Sequence, residues 1–478
     1  MKNIIKFLTL PIFLFLLAGC SQDELEDINR NENDPLDVPS RLIVSDVISR
    51  TAFSVLGTDL SFYSSVYVEH NVGVYNQMYN ADIRSGEPTS ATTYNNIWGA
   101  AYENLYNLKL VINKTSEGGS EAGNFHTLGI AQIMTAYNLA LLTDAFGDVP
   151  YSEALQPGVI FQPKVDKQED LYTEIFALLD RAIANLAMET TFPSLGGQDF
   201  LYGGNVERWT QFANGLKARY TARLALRNGG QWDDVIAFAN SSFTSADEEA
   251  KYVYDGSSSL SPFAMFFDDR DYFGASQSLN DKLVDRNDPR ADAFFIPYPG
   301  EEEIVFAQPG APNQVQGLYG ISALTFEAYT RPTYLLSYHE LEFLKAEAHA
   351  RLDQQTEAAE ALENAITAAF VKVGLPADSA QSYIETEVTP RFEANMVQEI
   401  MVQKYLAFFE EEAFEAYNDI RRLRANDENY ITLTNTLPFP LRFTYGADDV
   451  TTNPNVAALY GTGAYVYTDN VWWAGGSK

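Results

Sequence analysis

Aromatic side chains in loops and at helix ends are the residues of this sequence whose chemistry points most directly to a ligand. An aromatic ring can stack on the apolar face of a pyranose, while nearby Asn and Asp side chains hydrogen-bond the sugar hydroxyls. The candidate ligand contacts are Tyr75, Tyr79, Trp98, Tyr272, Phe273, Tyr298, Tyr319, Trp472 and Trp473. We therefore expect a surface that binds carbohydrate.

Trp98 also belongs to a regular aromatic stripe. The stripe has a spacing of four and consists of Tyr94, Trp98, Tyr102 and Tyr106. That spacing places the four rings on one face of a helix, where aromatic residues more often pack in the core than bind sugar. Both interpretations of Trp98 stay open at this point.

The residues that would carry catalysis form no recognisable motif. His339-Glu340 is not followed by a second His at the spacing of a zinc-protease helix, and His339 and His349 are almost three helical turns apart. The sequence has no phosphate-binding loop ending in Gly-Lys-Ser/Thr and no Gly-x-Ser-x-Gly elbow. Among 65 acidic residues a glycosidase pair stays possible, although none stands out. We predict a protein that is not an enzyme and needs no cofactor.

Two acidic turns could offer oxygen ligands to calcium. They are Asp268-Asp269-Arg270-Asp271 and Asn287-Asp288-Pro289-Arg290, and neither has the spacing of an EF-hand loop. Turns with internal salt bridges are the favoured interpretation, so we predict no metal site.

The net charge narrows the class of partner. The 478 residues carry a formal charge of −33, and 46% of them are hydrophobic, enough for a large core. Binding to phosphate groups requires Lys and Arg, so nucleic acid and anionic lipid are unfavourable partners. The acidic surface favours a soluble, mutually repelling protein.

The N-terminus has the pattern of an exported lipoprotein. Lys2 and Lys6 precede an apolar run at 7–17 that is too short to span a bilayer. The run leads into Leu17-Ala18-Gly19-Cys20, which resembles the bacterial lipobox, and Cys20 is the only cysteine. We expect a signal peptide at 1–19, lipidation of Cys20 and a lipidated flexible tether at 20–40.

Helices must position the aromatic residues, and the clearest pair lies at 334–373. Its first apolar stripe is formed by Leu341, Leu344, Ala348 and Leu352, and its second by Ala358, Leu362, Ala365, Ala369 and Val373. The charged residues off the first stripe are Glu340, Glu342, Lys345 and Arg351. The small residues Ala346, Ala358 and Ala365 follow one another at spacings of twelve and seven, which is typical of tetratricopeptide-type pairs that stack on further pairs.

The rest of the chain divides into blocks within one globular domain at 41–478. The first helical block covers 41–242, with helices expected at 41–56, 60–79, 92–113, 124–142, 168–187, 206–226 and 232–241. A loop-rich insertion follows at 243–331, a second helical block at 332–425 with a long helix at 392–424, and a loop-rich tail at 426–478. The acids and arginines at 410–422 predict an ion-paired helix end.

Several motifs in a shared order resemble the SusD/RagB family of outer-membrane lipoproteins from Bacteroidetes, in particular its second SusD-like branch. Besides the lipobox and the Trp98 helix, they lie at 142–154, 209–214, 287–290, 340–351, 415–422 and 440–445. The closing segment departs from the family pattern, because Gly446 replaces a Pro and Asp448 or Asp449 replaces a Glu.

The resemblance implies a mainly α SusD-like fold with tetratricopeptide-like helix pairs and an insertion that forms the ligand face. It also implies a lipid-anchored protein on the cell surface at the outer membrane, which captures oligosaccharide and delivers it as a lid to a SusC-like TonB-dependent transporter barrel. Two alternatives stay open: the same lid binding peptides, and a secreted helical glycoside hydrolase.

Overall fold

The computed structural model describes residues 37–477, and Ser40–Lys478 forms one compact unit. The predicted signal peptide, the predicted lipidation site Cys20 and nearly all of the predicted tether lie outside the described residues. Within the described part of the chain, no helix combines the length and apolar character that crossing a membrane requires.

The first helical block is built around one helix that is buried on nearly every side. Its helices are α1 Ser40–Arg50, α2 Ser61–Tyr67, α3 Asn76–Asp82, α4 Asn95–Thr115, α5 Phe125–Phe146, α6 Gln168–Leu186, α7 Val206–Arg223, α8 Ala225–Asn228 and α9 Trp232–Asn240. The apolar and small residues of α5 are buried around its whole circumference, and α4 and α6 pack on either side. A helix that is apolar all round is stable only when other helices enclose it, which explains this central position.

The insertion contains three short helices, and the second block and tail contain eight more within the described residues. They are α10 Pro262–Arg270, α11 Gln277–Val284, α12 Ala291–Phe294, α13 Tyr338–Arg351, α14 Gln355–Lys372, α15 Ala377–Tyr383, α16 Thr389–Ala394, α17 Met396–Ala407, α18 Ala413–Ala425, α19 Ala447–Thr452 and α20 Pro454–Tyr460. The prediction of a mainly α fold with paired helices is confirmed.

Three small antiparallel sheets connect the insertion to both helical blocks. The strands are β1 Asn71–Gly73, β2 Ala250–Tyr252, β3 Phe273–Ala275, β4 Phe295–Ile296, β5 Ile321–Ser322 and β6 Thr333–Leu336. The pairs are β1 with β3, β2 with β6 and β4 with β5. The first pair joins the insertion to the first helical block, the second joins it to the start of the second helical block, and the third lies within the insertion. The insertion is therefore fixed to the helices at two places.

Two predicted helices are wrong as continuous elements. The segment 60–79 is interrupted by β1 and is completed by α3. The segment 392–424 is broken by a turn at 408–412, where Glu410 has a φ of 60°. In both places the apolar residues fit a helical period, but buried polar contacts of the turn residues hold a different backbone conformation.

The hairpin at 334–373 is confirmed as α13 and α14, although it begins later than predicted because Tyr334 lies in β6. Ser337 caps α13, its hydroxyl oxygen accepting a hydrogen bond from the Glu340 amide at 3.3 Å. Glu340 and Glu342 lie off the apolar stripe but are buried as well. The reason is that α13 packs against helices on several sides, and Glu340 pairs with the buried Arg219 of α7.

Candidate functional site

A cleft of about 690 Å³ opens where the first helical block meets the insertion. We call it the polar cleft, since side chains that can form hydrogen bonds make up most of its lining. These are Arg50, Ser54, Thr58, Asp59, Gln77, Asn95, Asn96, Glu103, Asp269, Arg270 and Asp448. The apolar part of the lining consists of Phe53, Phe62, Gly99, Ala100, Pro262, Met265 and Phe266.

A kinked helical segment, Thr51–Leu60, forms one wall of the polar cleft. It is π-helical, and Thr58 departs from helical geometry with φ −101° and ψ −123°. Gly57 permits close packing there, because a Cβ at this position would lie 2.5 Å from the Ala52 carbonyl oxygen and 2.9 Å from Cγ of Pro262. The kink therefore brings α10 against the segment and places Asp59 beside α4.

Asp59 is a partly buried acidic group of the cleft that accepts a single hydrogen bond within residues 37–477. Asn96 donates a long hydrogen bond from Nδ2 to Asp59 Oδ2, at 3.3 Å. Burial raises the pKa of Asp59 to about 6; the Asn96 hydrogen bond offsets part of this rise, and the nearby carboxylate of Glu87 adds to it. A partly desolvated carboxylate in a cleft is a candidate for contact with a ligand.

Three other charged side chains of the cleft, Arg50, Glu103 and Asp448, have partners within the protein. Both terminal nitrogens of Arg50 donate to the carboxylate of Glu103, with 2.8 Å from Nη1 to Oε1. Asn95 donates to Asp448 Oδ2 at 3.2 Å and accepts from the Asp448 amide at 3.1 Å. These contacts fix α4 to α1 and to α19, so the donors and acceptors of the cleft are held in position.

Aromatic rings form a continuous ridge beside the polar cleft. The aromatic ridge consists of Tyr75, Tyr272, Phe266 and Phe273. The ring centroids are 5.5 Å apart for Tyr75 and Tyr272, 5.7 Å for Tyr272 and Phe266, and 5.1 Å for Phe266 and Phe273. Phe266 also lines the cleft, so the ridge and the cleft are one continuous surface. Tyr75 is 36% exposed and presents its ring to solvent.

The ridge forms because two segments about 200 residues apart pair as β1 and β3. Gly73 lies opposite Phe273 in this sheet, so Tyr75 and Tyr272 meet at its end. Asn76 donates a hydrogen bond from Nδ2 to the Tyr272 hydroxyl at 3.2 Å. The Tyr272 ring is therefore held at both its face and its hydroxyl end.

Tyr298 and Tyr319 lie next to the ridge. The Tyr298 hydroxyl donates to Asp271 Oδ2 at 3.0 Å; burial raises the pKa of Asp271 above its ordinary value, and this hydrogen bond offsets part of the rise. Tyr319 packs on Val72 and Val74, and its hydroxyl accepts a hydrogen bond from the Asn313 amide at 2.8 Å. Both residues thus support the ridge more than they extend it.

The remaining predicted contacts are not part of the cleft lining or of the ridge. Tyr79 is half-buried on α3. Trp98 is 2% exposed and donates to Asp449 at 2.7 Å, so its place in the aromatic stripe reflects core packing. Trp473 is fully buried and donates to Asp144 at 2.8 Å, while Trp472 lies under the guanidinium of Arg227. The buried rings of Trp98 and Trp473 have no face left for a ligand.

Sequence reasoning missed Asp59, Asn96 and Phe266. Nothing in their local sequence sets them apart, because Asp59 is one of 65 acidic residues and Phe266 one of 30 phenylalanines. Their position depends on the kink at Thr58 and on the approach of α10.

A second cleft of about 710 Å³ lies between α14, α15 and the β2–β6 pair. Both lysines of its lining are already paired with carboxylates. Lys372 pairs with Glu412 at 2.6 Å and lies 4.2 Å from the ring centre of Tyr334, and Lys251 pairs with Glu249 at 2.9 Å. Groups with partners of their own gain little from a ligand, so the polar cleft with its ridge is the stronger candidate.

Both acidic turns make contacts within the protein. Arg290 pairs with Asp288 at 2.6 Å inside its own turn, as predicted. In the other turn the carboxylates of Asp268 and Asp271 accept hydrogen bonds from tyrosine hydroxyls and do not pair with Arg270. Across residues 37–477, no group of three or more His, Cys, Asp or Glu side chains is placed to hold a metal ion.

Comparison with known proteins gives a consistent picture. Residues 60–446 match the SusD-like family model, second type, described as starch-binding and associating with the outer membrane. The structure is similar to a SusD/RagB family protein from Bacteroides thetaiotaomicron, with a TM-score of 0.85, 44% identity, and coverage of 92% of this chain and 100% of that one. A chitin-binding SusD homolog from Flavobacterium johnsoniae shares the fold at 21% identity and a TM-score of 0.72, over 91% of this chain and 98% of that one. No protein with a curated description matches.

Proposed function

Because this chain belongs to the SusD-like family, we propose that it is a non-catalytic surface lipoprotein that captures oligosaccharides and delivers them to a TonB-dependent transporter of the outer membrane. In this proposal the protein is anchored through Cys20 and acts as the lid of a SusC-like barrel. The outer-membrane part rests on the family description and on the lipobox-like segment at 17–20.

The observation that carries the carbohydrate proposal is the aromatic ridge beside the polar cleft. A pyranose has an apolar face and a rim of hydroxyl groups, and a protein site for it needs both a ring face and hydrogen-bonding side chains. Tyr75 supplies an exposed ring face. Asn95, Asn96, Gln77 and the carboxylates of the cleft supply donors and acceptors at its side.

The absence of catalysis in this proposal rests on the family and on the state of the carboxylates. Glycoside hydrolysis uses one carboxylic acid as a proton donor and one carboxylate as a nucleophile or base, both facing the same bond. In the polar cleft Glu103 is engaged by Arg50, and Asp448 is held by Asn95. Asp59 has a raised pKa, and Asp269 lies in the same lining; for these two carboxylates the non-catalytic proposal rests on the family.

The test is direct binding of oligosaccharides to the purified soluble protein, measured by calorimetry. We expect dissociation constants between micromolar and millimolar, or about −8 to −4 kcal/mol. Tyr75→Ala removes a ring contact worth about 1 kcal/mol and should weaken binding roughly fivefold, whereas Tyr75→Phe keeps the ring and should bind like the wild type.

Phe161→Ala is the matched control, because Phe161 is 77% exposed and lies outside the ridge and the cleft. It removes an exposed ring without touching the site and should leave binding unchanged. Equal losses in Tyr75→Ala and Phe161→Ala would contradict the site. Binding of peptides alone would refute the carbohydrate proposal, and release of shorter sugars during incubation would refute the non-catalytic one.

A further inference from the structure

The polar cleft carries more negative than positive charge. Its lining includes four carboxylates, from Asp59, Glu103, Asp269 and Asp448, and two guanidinium groups, from Arg50 and Arg270. Arg50 is bound by Glu103 through both terminal nitrogens, so its charge is neutralised inside the protein. Three carboxylates therefore face one remaining guanidinium, in a protein whose net charge is already −33.

Asp59 has room for further hydrogen-bond donors. A carboxylate can accept about four hydrogen bonds, and within residues 37–477 Asp59 accepts one, the 3.3 Å bond from Asn96. No described Lys or Arg lies within ion-pair distance of it. The carboxylate of Glu87, bound by the Tyr63 hydroxyl at 2.9 Å, adds negative charge nearby. A ligand that brings hydroxyl or amino donors would complete the bonding of Asp59, while a ligand carboxylate would meet repulsion.

On the basis of the proposed function, we infer that Asp59 is a specificity-determining residue that accepts hydrogen bonds from the ligand. Through it the polar cleft takes oligosaccharides without acidic groups and rejects those that carry carboxylate or sulfate. The substrate class is thus neutral or amino-sugar oligosaccharide. Arg270 does not reverse this selection, because Asp269 lies next to it on α10 and Asp448 lies in the same cleft.

The experiment compares two panels of oligosaccharides on wild-type protein and on Asp59→Asn. The neutral and amino-sugar panel contains fragments of starch, chitin, chitosan, xylan, mannan and β-glucan, and the acidic panel contains fragments of polygalacturonate, alginate and hyaluronan. The wild type should bind its best acidic ligand at least tenfold more weakly than its best ligand from the other panel. Asp59→Asn keeps the shape and one acceptor oxygen but loses the charge, so this ratio should narrow at least threefold.

Asp233→Asn is the control for the change of net charge, because Asp233 is exposed on α9 and does not line the cleft. Asp233→Asn should leave the ratio of the two affinities unchanged. In 0.5 M salt the wild-type ratio should become smaller, because salt screens the repulsion between the cleft and acidic ligands. The Asp59 variant should fold, because burial penalises the charge that the substitution removes.

The outcomes separate the inference from the proposed function. Tightest binding of an acidic oligosaccharide, or an unchanged ratio in Asp59→Asn, would overturn the inference while leaving carbohydrate binding in place. Absence of binding to every oligosaccharide in both panels would overturn the proposed function, and the inference with it.

Discussion

Replacing Glu347 by Gln should destabilise the protein by about 3 kcal/mol, because this buried carboxylate joins the hairpin to α18. Glu347 lies on α13 and accepts bonds from both terminal nitrogens of Arg422, at 2.8 and 2.7 Å. Its Oε1 also accepts from Nε of Arg351 at 3.0 Å. Glu347 and Arg422 are both fully buried, so neither charge can be stabilised by water after the change.

The size of the destabilisation depends on the ion pairs that Arg422 and Arg351 retain after the substitution. Removing one partner of a buried ion pair costs about 3–5 kcal/mol, since the other charge is left unpaired. Arg422 retains Asp419 at 3.1 Å, and Arg351 retains Glu428 at 2.7 Å, so the lower end of that range applies. For a unit of about 440 residues the unfolding entropy is about 0.9 kcal/mol per degree. The midpoint of thermal unfolding should fall by about 3 °C.

The effect should also depend on pH in a defined direction. Burial alone would raise the pKa of Glu347, but the guanidinium groups of Arg422 and Arg351 outweigh it and lower the pKa from 4.5 to about 2. A carboxylate with a lowered pKa in the folded protein stabilises it fully above its unfolded value. This contribution is lost as the pH falls from about 4.5 towards 2. The difference in the midpoint of thermal unfolding between wild type and variant should therefore reach its full size at pH 7 and be smaller at pH 3.

The assay is thermal unfolding followed by circular dichroism at pH 7 and pH 3. Glu360→Gln makes the same chemical change at an exposed position of α14 and should shift the midpoint by less than 1 °C. A loss in Glu347→Gln no larger than in this control would refute the reasoning about the buried pair. An equal difference in unfolding midpoint at both pH values would refute the argument about pH.

Two further changes test the supports of the fold. Gly274→Ala should lower the free energy of unfolding by about 1–3 kcal/mol in urea and weaken oligosaccharide binding, because the added Cβ would lie 2.8 Å from Val74 and 2.9 Å from Tyr319 under the aromatic ridge. Gly197→Ala, with open space around it, should leave both measurements unchanged, and equal effects would contradict the argument. Asp199→Asn should cost about 2 kcal/mol, because Oδ2 accepts from the indole of Trp209 at 2.7 Å and Oδ1 accepts from the Leu201 amide at 2.9 Å, and the amide of Asn can accept only at its oxygen. Its control is the exposed Asp234→Asn, and a chemical denaturation midpoint equal to that of the control would show that these bonds contribute little.

Sequence periodicity identified most accurately the helices whose backbone is not interrupted by contacts with residues distant in sequence. The prediction at 168–187 matches α6, and that at 124–142 matches α5 except for its last turn. The predictions fail where polar groups distant in sequence impose a turn. Glu410, for example, has a φ of 60° because its carboxylate is bound by Asn71 and Ser322, which are remote in the chain.

The polar face of α13 shows a second limit of sequence reasoning. Charged residues off an apolar stripe usually face solvent, yet Glu340 and Glu347 are buried against Arg219 and Arg422. The partners of Glu347 and Glu340 lie 75 and 121 residues away, so no local pattern reveals them. These pairs form because α7, which carries Arg219, and α18, which carries Arg422, both approach α13.

The residue types of the candidate site could be predicted from the sequence, but their arrangement in space could not. Loop aromatics pointed to Tyr75 and Tyr272, which the structure brings into contact. The same criterion selected Trp473, and the aromatic stripe at a spacing of four added Trp98. Both are buried, because the sequence around an indole does not distinguish a buried ring from an exposed one. The place of Asp59 in the cleft could not be predicted from the sequence, because it depends on a backbone kink at Thr58 that no single residue type requires.

The turn at 408–412 gives a physical reason to regard the aromatic ridge as preformed. Glu410 accepts hydrogen bonds from Asn71 of β1 at 2.9 Å and from Ser322 of β5 at 2.7 Å, so it holds the strand that supports the ridge. Two residues later, Glu412 pairs with His339 at 2.8 Å and with Lys372 of the hairpin. One buried turn therefore holds strands β1 and β5 and also the helical hairpin. A ring platform held in this way loses little conformational freedom when a sugar binds, which favours capture of a flexible oligosaccharide by a rigid surface.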